Sequence, residues 1–178
     1  MRVTAIIPAY NEETRLPRVL EAVRAASLVD DIVVVSDGSL DGTYEVARRF
    51  DGVRALQLPQ NLGKGAAMHA GACHTESPVI VFLDADLIGL TPEHVDSLVE
   101  PVRCGDADMT LGVFRGGRRA TDLAQKLFPF VSGQRAIRRE LFLEVPNVQF
   151  APLWGWRRKS RAGRYVSDGE CNMYLFMG

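Results

Sequence analysis

Val79-Ile80-Val81-Phe82-Leu83-Asp84-Ala85-Asp86 is an apolar run, rich in β-branched residues, that stops on two carboxylates one residue apart. Short apolar runs bounded by polar residues predict buried strands. On extended backbone, residues two apart project to the same side. Asp84 and Asp86 therefore form a pair that can share one hard divalent cation, and a magnesium-like ion keeps coordination positions for substrate phosphates. The structural alternative is a solvated turn at a strand end, which Asp often marks. Three further polar clusters, each directly after an apolar run, favour the ligand site.

Outward from this stretch, Val3 to Ile7, Ile32 to Val35 and Val53 to Leu58 read as further buried strands. Residues 14–26, 42–50 and 64–74 carry helical periodicity, with Leu16, Val19, Leu20 and Val23 on one face of the first. Thr91 to Cys104 predicts another helix, capped by Thr91 with Pro92 at its first position. Ala107 to Phe114 reads as a strand and Ala120 to Phe130 as a helix. This alternation predicts an α/β fold: one domain whose mainly parallel sheet is flanked by helices. Right-handed crossovers place every post-strand loop on one edge, where ligands of such sheets bind.

The 178 residues suit one domain with a sizeable core, and 47% hydrophobic with 24% charged residues is ordinary for a globular chain. A net charge of −1 supplies no basic field for nucleic acid. Cys73, Cys104 and Cys171 are scattered, which argues against a disulfide framework and for a reducing compartment. His69, Cys73 and His74 share one helical stretch, but without a second cluster they read as ordinary side chains. Met1 leads straight into a strand, so no leader is expected. No run approaches the roughly 18 apolar residues of a membrane span. A cytoplasmic protein is the expectation.

Periodicity is readable through residues 1–146 and fails in 147–178. In the latter, Arg157, Arg158, Lys159, Arg161 and Arg164 stand against Asp168 and Glu170, with Trp154, Trp156 and Tyr174 among them. Two readings stay open. One is a basic, aromatic flap over an anionic substrate or membrane surface; the other is an atypical segment, truncated or poorly ordered.

The first polar cluster, Pro8-Ala9-Tyr10-Asn11-Glu12-Glu13, follows the first strand. Pro8 is expected to stop the ladder. Tyr10 and Asn11 offer a ring face and an amide suited to a nucleobase. Glu12 can accept from a ribose hydroxyl or pair internally; read as structure alone, these acids open a helix. The second cluster, Ser36-Asp37-Gly38-Ser39-Leu40-Asp41-Gly42-Thr43, follows the second strand. Gly38 and Gly42 permit tight turning, Asp37 suits a base imide N–H, and Asp41 caps the next helix. The third, Asn61-Leu62-Gly63-Lys64-Gly65, sets two glycines around a lysine at a helix start, which admits an anion to backbone N–H groups. It is not a Walker A sequence. Nor does a Gly-x-Gly-x-x-Gly follow the first strand, which disfavours a dinucleotide-dependent dehydrogenase.

Together, Pro8 to Glu12, Asp37 to Thr43, Asn61 to Gly65 and Asp84 to Asp86 resemble, in order, the motifs of family 2 glycosyltransferases of the GT-A fold. The resemblance covers about residues 3–114 and implies a nucleotide-diphosphate sugar, UDP- or GDP-linked, with Mg2+ or Mn2+. It implies donor binding by Pro8, Ala9, Tyr10, Asn11, Glu12, Asp37, Asn61, Gly63, Lys64, Gly65, Asp84 and Ala85. It also implies catalytic roles for Asp84 and Asp86, with the metal on Asp86. Ser36 departs from the pattern, because many relatives carry another Asp there.

Two acceptor types compete. Asp84-Ala85-Asp86-Leu87 with Arg119-Ala120-Thr121-Asp122-Leu123 resembles glucosyl-3-phosphoglycerate synthases, which implies that Arg119 and Thr121 hold an acceptor phosphate. A guanidinium suits phosphate geometrically. Ser132-Gly133-Gln134-Arg135-Ala136 resembles the acceptor side of dolichol- or undecaprenyl-phosphate sugar transferases, which implies Ser132 and Gly133 as acceptor ligands. The Gly-aromatic-Gly stretch with its acid, and the later metal-binding His of the synthases, have no counterpart after Pro146.

The expected function is metal-dependent transfer of a sugar from a nucleotide diphosphate to a phosphate-bearing acceptor. That acceptor is 3-phosphoglycerate-like or a polyprenyl phosphate, the latter with peripheral membrane contact. One alternative is a truncated domain that binds nucleotide sugar without catalysis. Another is a nucleotidyltransferase that releases pyrophosphate.

Overall fold

β-branched residues fill central strands that are buried on both faces, so these strands show no polar alternation. The computed structural model describes residues 1–113 and 133–144, together with strands at 157–158, 164–166 and 172–177. The helix expected over 120–130 lies outside the described residues. So do Arg119, Thr121, Ser132 and the basic and aromatic side chains of 147–178.

β1 (Val3–Ala9), β2 (Asp31–Ser36), β3 (Val53–Gln57) and β4 (Val79–Phe82) pair in parallel in the order β3-β2-β1-β4. Between them run α1 (Leu16–Ala25), α2 (Thr43–Arg49) and α3 (Lys64–Cys73). α4 (Pro92–Cys104) then leads to β5 (Met109–Val113), and β6 (Arg135–Arg138) to α5 (Arg139–Glu144). β7 (Arg157–Arg158), β8 (Arg164–Val166) and β9 (Asn172–Met177) follow. Among the described residues the sheet order is β3-β2-β1-β4-β6-β5-β9-β8-β7.

The sheet is mixed: its first four strands run parallel, as expected, and the later ones add antiparallel pairs. β6 inserts between β4 and β5 and runs antiparallel to both. The chain ends β5 at the same edge as β4 and must return from it, so β6 starts at that edge and runs back. Phe82 pairs with Arg135, which brings the residues just before β6 beside the carboxylates just after β4. The parallel half carries the post-strand loops; the antiparallel return adds a wall to them.

Side chains divide between the two faces with the period of two expected of strands. Val3, Ala5, Ile7, Ile32, Val34, Val79 and Val81 meet Leu16, Val19, Leu20 and Val23 of α1 and Val95, Leu98, Val99 and Val102 of α4. On the opposite face, Ile6, Val33, Val35, Ile80 and Phe82 meet Ala67, Met68 and Ala72 of α3 and Phe142 of α5. Each fully buried Leu, Val or Ile contributes about 1.5–3 kcal/mol relative to exposure. α3 approaches the sheet closely: a Cβ on Gly71 would lie 2.4 Å from Ile6 Cγ2.

The α4 start follows expectation, with Thr91 Oγ1 accepting from His94 N–H and Pro92 inside the first turn. Pro8 does not. β1 continues through Pro8 to Ala9, in register with Val35 and Ser36. Leu83 N–H donates to Ile6 C=O, so even-numbered β1 residues present their backbone groups toward β4. That ladder ends at the Ile6–Phe82 pair. The N–H that proline lacks would face a side where no β4 residue remains, which is where a strand tolerates it.

Candidate functional site

The loops after β1 and β2 are stitched together by side chains acting on backbone. Asn11 adopts a left-handed φ of 56°, which Asn tolerates better than most residues. Its N–H donates to Ser39 Oγ at 3.1 Å, and its Oδ1 accepts from Leu40 N–H at 2.9 Å. Glu12 N–H donates to Thr43 Oγ1 at 2.8 Å, and Glu13 Oε2 accepts from Gly42 N–H at 3.0 Å. Asp41 Oδ1 accepts from Thr43 N–H at 3.0 Å, but from one residue before the cap position, which Gly42 rather than Asp41 occupies. Asn11, read from sequence as a base contact, therefore spends its carbonyl oxygen inside the protein. Tyr10 stays 44% exposed beside it, a ring face open to a planar ligand.

Asp37 is buried and accepts from Leu62 N–H at 2.8 Å and Gly63 N–H at 2.9 Å, one with each oxygen. It thus shapes the loop that carries Lys64, whatever else it touches. Gly63 N–H also reaches Asn61 Oδ1 at 3.1 Å, and Gly63 has a φ of 89° that an L side chain resists. Gly38 presses on the same loop: a Cβ there would fall 2.3 Å from Gln60 C and 2.4 Å from Asn61 N. Lys64 and Gly65 then open α3, whose start has no side-chain cap. Uncapped first-turn N–H groups with a lysine beside them make an anion-accepting end.

Asp84 is the hub. Lys64 Nζ lies 2.5 Å from its Oδ1, and Gln134 Nε2 donates to its Oδ2 at 3.0 Å. Gly133 packs against both: a Cβ here would sit 2.5 Å from Asp84 Oδ2 and 2.6 Å from Lys64 Nζ, so those side-chain ends would have to shift. Arg135 adds a positive field: desolvation pushes its guanidinium below its ordinary value, and the charge of Asp84 pulls it back up. So Lys64, Asp84 and Gly133, all expected at the site, do converge. Gln134 and Arg135 were missed as site residues; their signal was the antiparallel return, which brings a residue 50 positions away onto Asp84.

Asp86 differs. Its side chain is 52% exposed, and its ion pair among the described residues is a loose one, Arg15 Nη1 at 3.8 Å from Oδ2. Arg15 also lies 2.9 Å through Nε from Glu12 Oε2, close enough for charge pairing but not aligned as a hydrogen bond. Burial pushes the Glu12 carboxyl up, Arg15 pulls it down, and Asp86 and Asp41 push it up again. Among the described residues no cluster of three or more His, Cys, Asp or Glu could hold an ion alone. One half-exposed carboxylate at a rim fits a cation that takes most of its ligands from phosphate oxygens and water. His69, Cys73 and His74 make no such cluster either. Ala9 and Ala85 are buried backbone spacers at the rim.

Four exposed large apolar side chains crown this edge: Tyr10, Leu40, Leu62 at 51% and Ile88 at 90%, one from each post-strand loop. Among the described residues, no helix is long and apolar enough to cross a membrane.

Residues 4–161 match the family model described as glycosyl transferase family 2. A dolichyl-phosphate beta-glucosyltransferase of Trichomonas vaginalis is 40% identical over 97 residues, 47% of this chain and 30% of that one. Glucosyl-3-phosphoglycerate synthase of Mycobacterium tuberculosis is 29% identical over 86% of this chain and 57% of its own. The crystal structure of that synthase from Mycobacterium tuberculosis, in complex with Mn2+ and uridine-diphosphate-glucose, superposes with a TM-score of 0.69 at 30% identity, covering 82% of this chain and 58% of that one. This chain therefore spans under two thirds of the length of each.

Proposed function

This chain belongs to glycosyl transferase family 2, and we propose that it moves glucose from UDP-glucose to a phosphate-bearing acceptor with the help of Mg2+ or Mn2+. The observation that carries the reading is the convergence of Lys64 and Gly133 on Asp84, with Asp86 half-exposed at the same rim. Tyr10 stacks on the base, and Asp37 holds the Lys64 loop while presenting its remaining lone pairs toward the base edge. Lys64 and the first N–H groups of α3 bind the diphosphate. Asp84, fixed by Lys64 and Gln134, positions the ribose, and Asp86 holds the metal. When bound, such a cation stabilises charge developing on the departing diphosphate. Lys64 adds preorganised positive potential at the same oxygens.

A 3-phosphoglycerate-like acceptor is favoured by the likeness to the synthase, which extends over 86% of this chain. Arg119, Thr121, Ser132 and Gly133 are the proposed acceptor contacts. A polyprenyl phosphate is the second reading, supported by Leu40, Leu62 and Ile88 exposed on the rim that holds the site. In either case residues 1–146 carry the chemistry, and 147–178 form a segment of different character.

The test is transfer from UDP-glucose or GDP-glucose, with Mn2+, to 3-phosphoglycerate and to a polyprenyl phosphate in detergent. Asp86→Asn should abolish metal-dependent turnover; unchanged turnover would remove Asp86 from the metal. Stabilisation by UDP-glucose with Mn2+ but no transfer to either acceptor would reduce the protein to a donor-binding domain.

A further inference from the structure

Arg15 stands at the N-cap of α1, where the helix end is already positive, and its side chain is 55% exposed. A cation is disfavoured there by the dipole, so it must be held by something else. Glu12 Oε2 lies 2.9 Å from its Nε and Asp86 Oδ2 lies 3.8 Å from its Nη1. Glu12 itself feels the negative charge of both Asp86 and Asp41. Arg15 is therefore the cation that keeps this crowded acidic patch together.

Resting on the donor site proposed above, we propose that Arg15 is the resident counter-cation of Asp86 and has to yield that carboxylate when a divalent ion binds. A guanidinium and a divalent cation repel one another across one carboxylate, and the Asp86 oxygens cannot serve both at full strength. The Arg15 stem is long and exposed, so the guanidinium can withdraw onto Glu12 alone, which it already contacts. Arg15 thus lowers the metal affinity of the site without taking part in the chemistry. It is a positioning residue for Asp86.

Mn2+ binding to the whole chain in saturating UDP, whose phosphate oxygens complete the cation's ligands, tests this by electron paramagnetic resonance of the free ion against a UDP-only blank. Arg15→Gln should bind Mn2+ about three-fold tighter than wild type, the ratio an exposed ion pair allows. Arg15→Lys, which keeps the charge but loses the fork, should fall between them. Arg18→Gln makes the same change in net charge at an exposed α1 position; among the described residues Asp86 pairs with Arg15 and not with Arg18, so the affinity should stay where it was. Equal or weaker binding by Arg15→Gln, or an equal gain in Arg18→Gln, overturns the inference while Asp86-dependent Mn2+ binding keeps the donor site intact. Wild-type protein that binds no Mn2+, or binds it undiminished as Asp86→Asn, overturns both.

Discussion

Lys64 and Asp84 are 20 positions apart in the chain, and Nζ and Oδ1 are 2.5 Å apart in space. α3 begins and β4 ends at the same edge, so the pair joins two loops that sequence keeps separate. Lys64→Gln should weaken UDP-glucose binding about ten-fold, near 1.4 kcal/mol. This is the low side of a hydrogen bond to a charged group, because Lys64 is 41% exposed. Gln134 still bonds Asp84, so the thermal midpoint should barely move. Titration calorimetry reads the first quantity; an unchanged affinity would take Lys64 out of the site.

Two glycines of the rim should respond differently to alanine. At Gly38 the added Cβ meets backbone, 2.3 Å from Gln60 C, at a φ of 63°. Backbone cannot step aside, and left-handed geometry alone costs about 1–2 kcal/mol. At Gly133 the Cβ meets the ends of Asp84 and Lys64, which can move. Urea unfolding should therefore show Gly38→Ala losing more than about 2 kcal/mol and Gly133→Ala losing less. Ligand binding should fall sharply in Gly133→Ala. The reverse order of stabilities would contradict the packing described for these loops.

What sequence made legible follows from range. Val79 to Leu83 announces itself as an unbroken apolar run, and Leu16, Val19, Leu20 and Val23 through helical periodicity; burial follows both. Thr91 with Pro92 is equally local. The rim clusters were readable because each follows a strand directly. Asn11 and Asp37 read as ligand contacts in sequence because their backbone partners, Leu40 and Gly63, sit 29 and 26 positions away. Gln134 and the antiparallel β6 were hidden for the same reason: two arginines in four residues carry no strand alternation, and their meaning comes from Phe82 across the ladder.

Ser36, where many family members carry Asp, is fully buried, and its Oγ has no hydrogen-bond partner among the described residues. A buried hydroxyl left unpaired costs about 1–3 kcal/mol. Ser36→Ala should accordingly raise stability by about 1 kcal/mol in urea unfolding. Because the side chain is enclosed, nucleotide affinity should not change. Weaker UDP binding in this variant would show that the hydroxyl turns toward the base after all.

Glu12 gives the pH dependence. Its carboxyl is raised above the ordinary 4.5, chiefly by burial, with Arg15 opposing and Asp86 and Asp41 adding to the rise. A folded-state value above the unfolded one means that the native protein holds the extra proton. Its contribution to stability is then complete below about 4.5 and is lost as pH rises through the folded value. Glu12→Gln, which cannot titrate, removes this slope. The difference in unfolding free energy between wild type and Glu12→Gln should shift in favour of wild type as pH falls from neutrality toward 4.5. A difference that shifts the other way would mean that Arg15, rather than desolvation, governs this carboxylate.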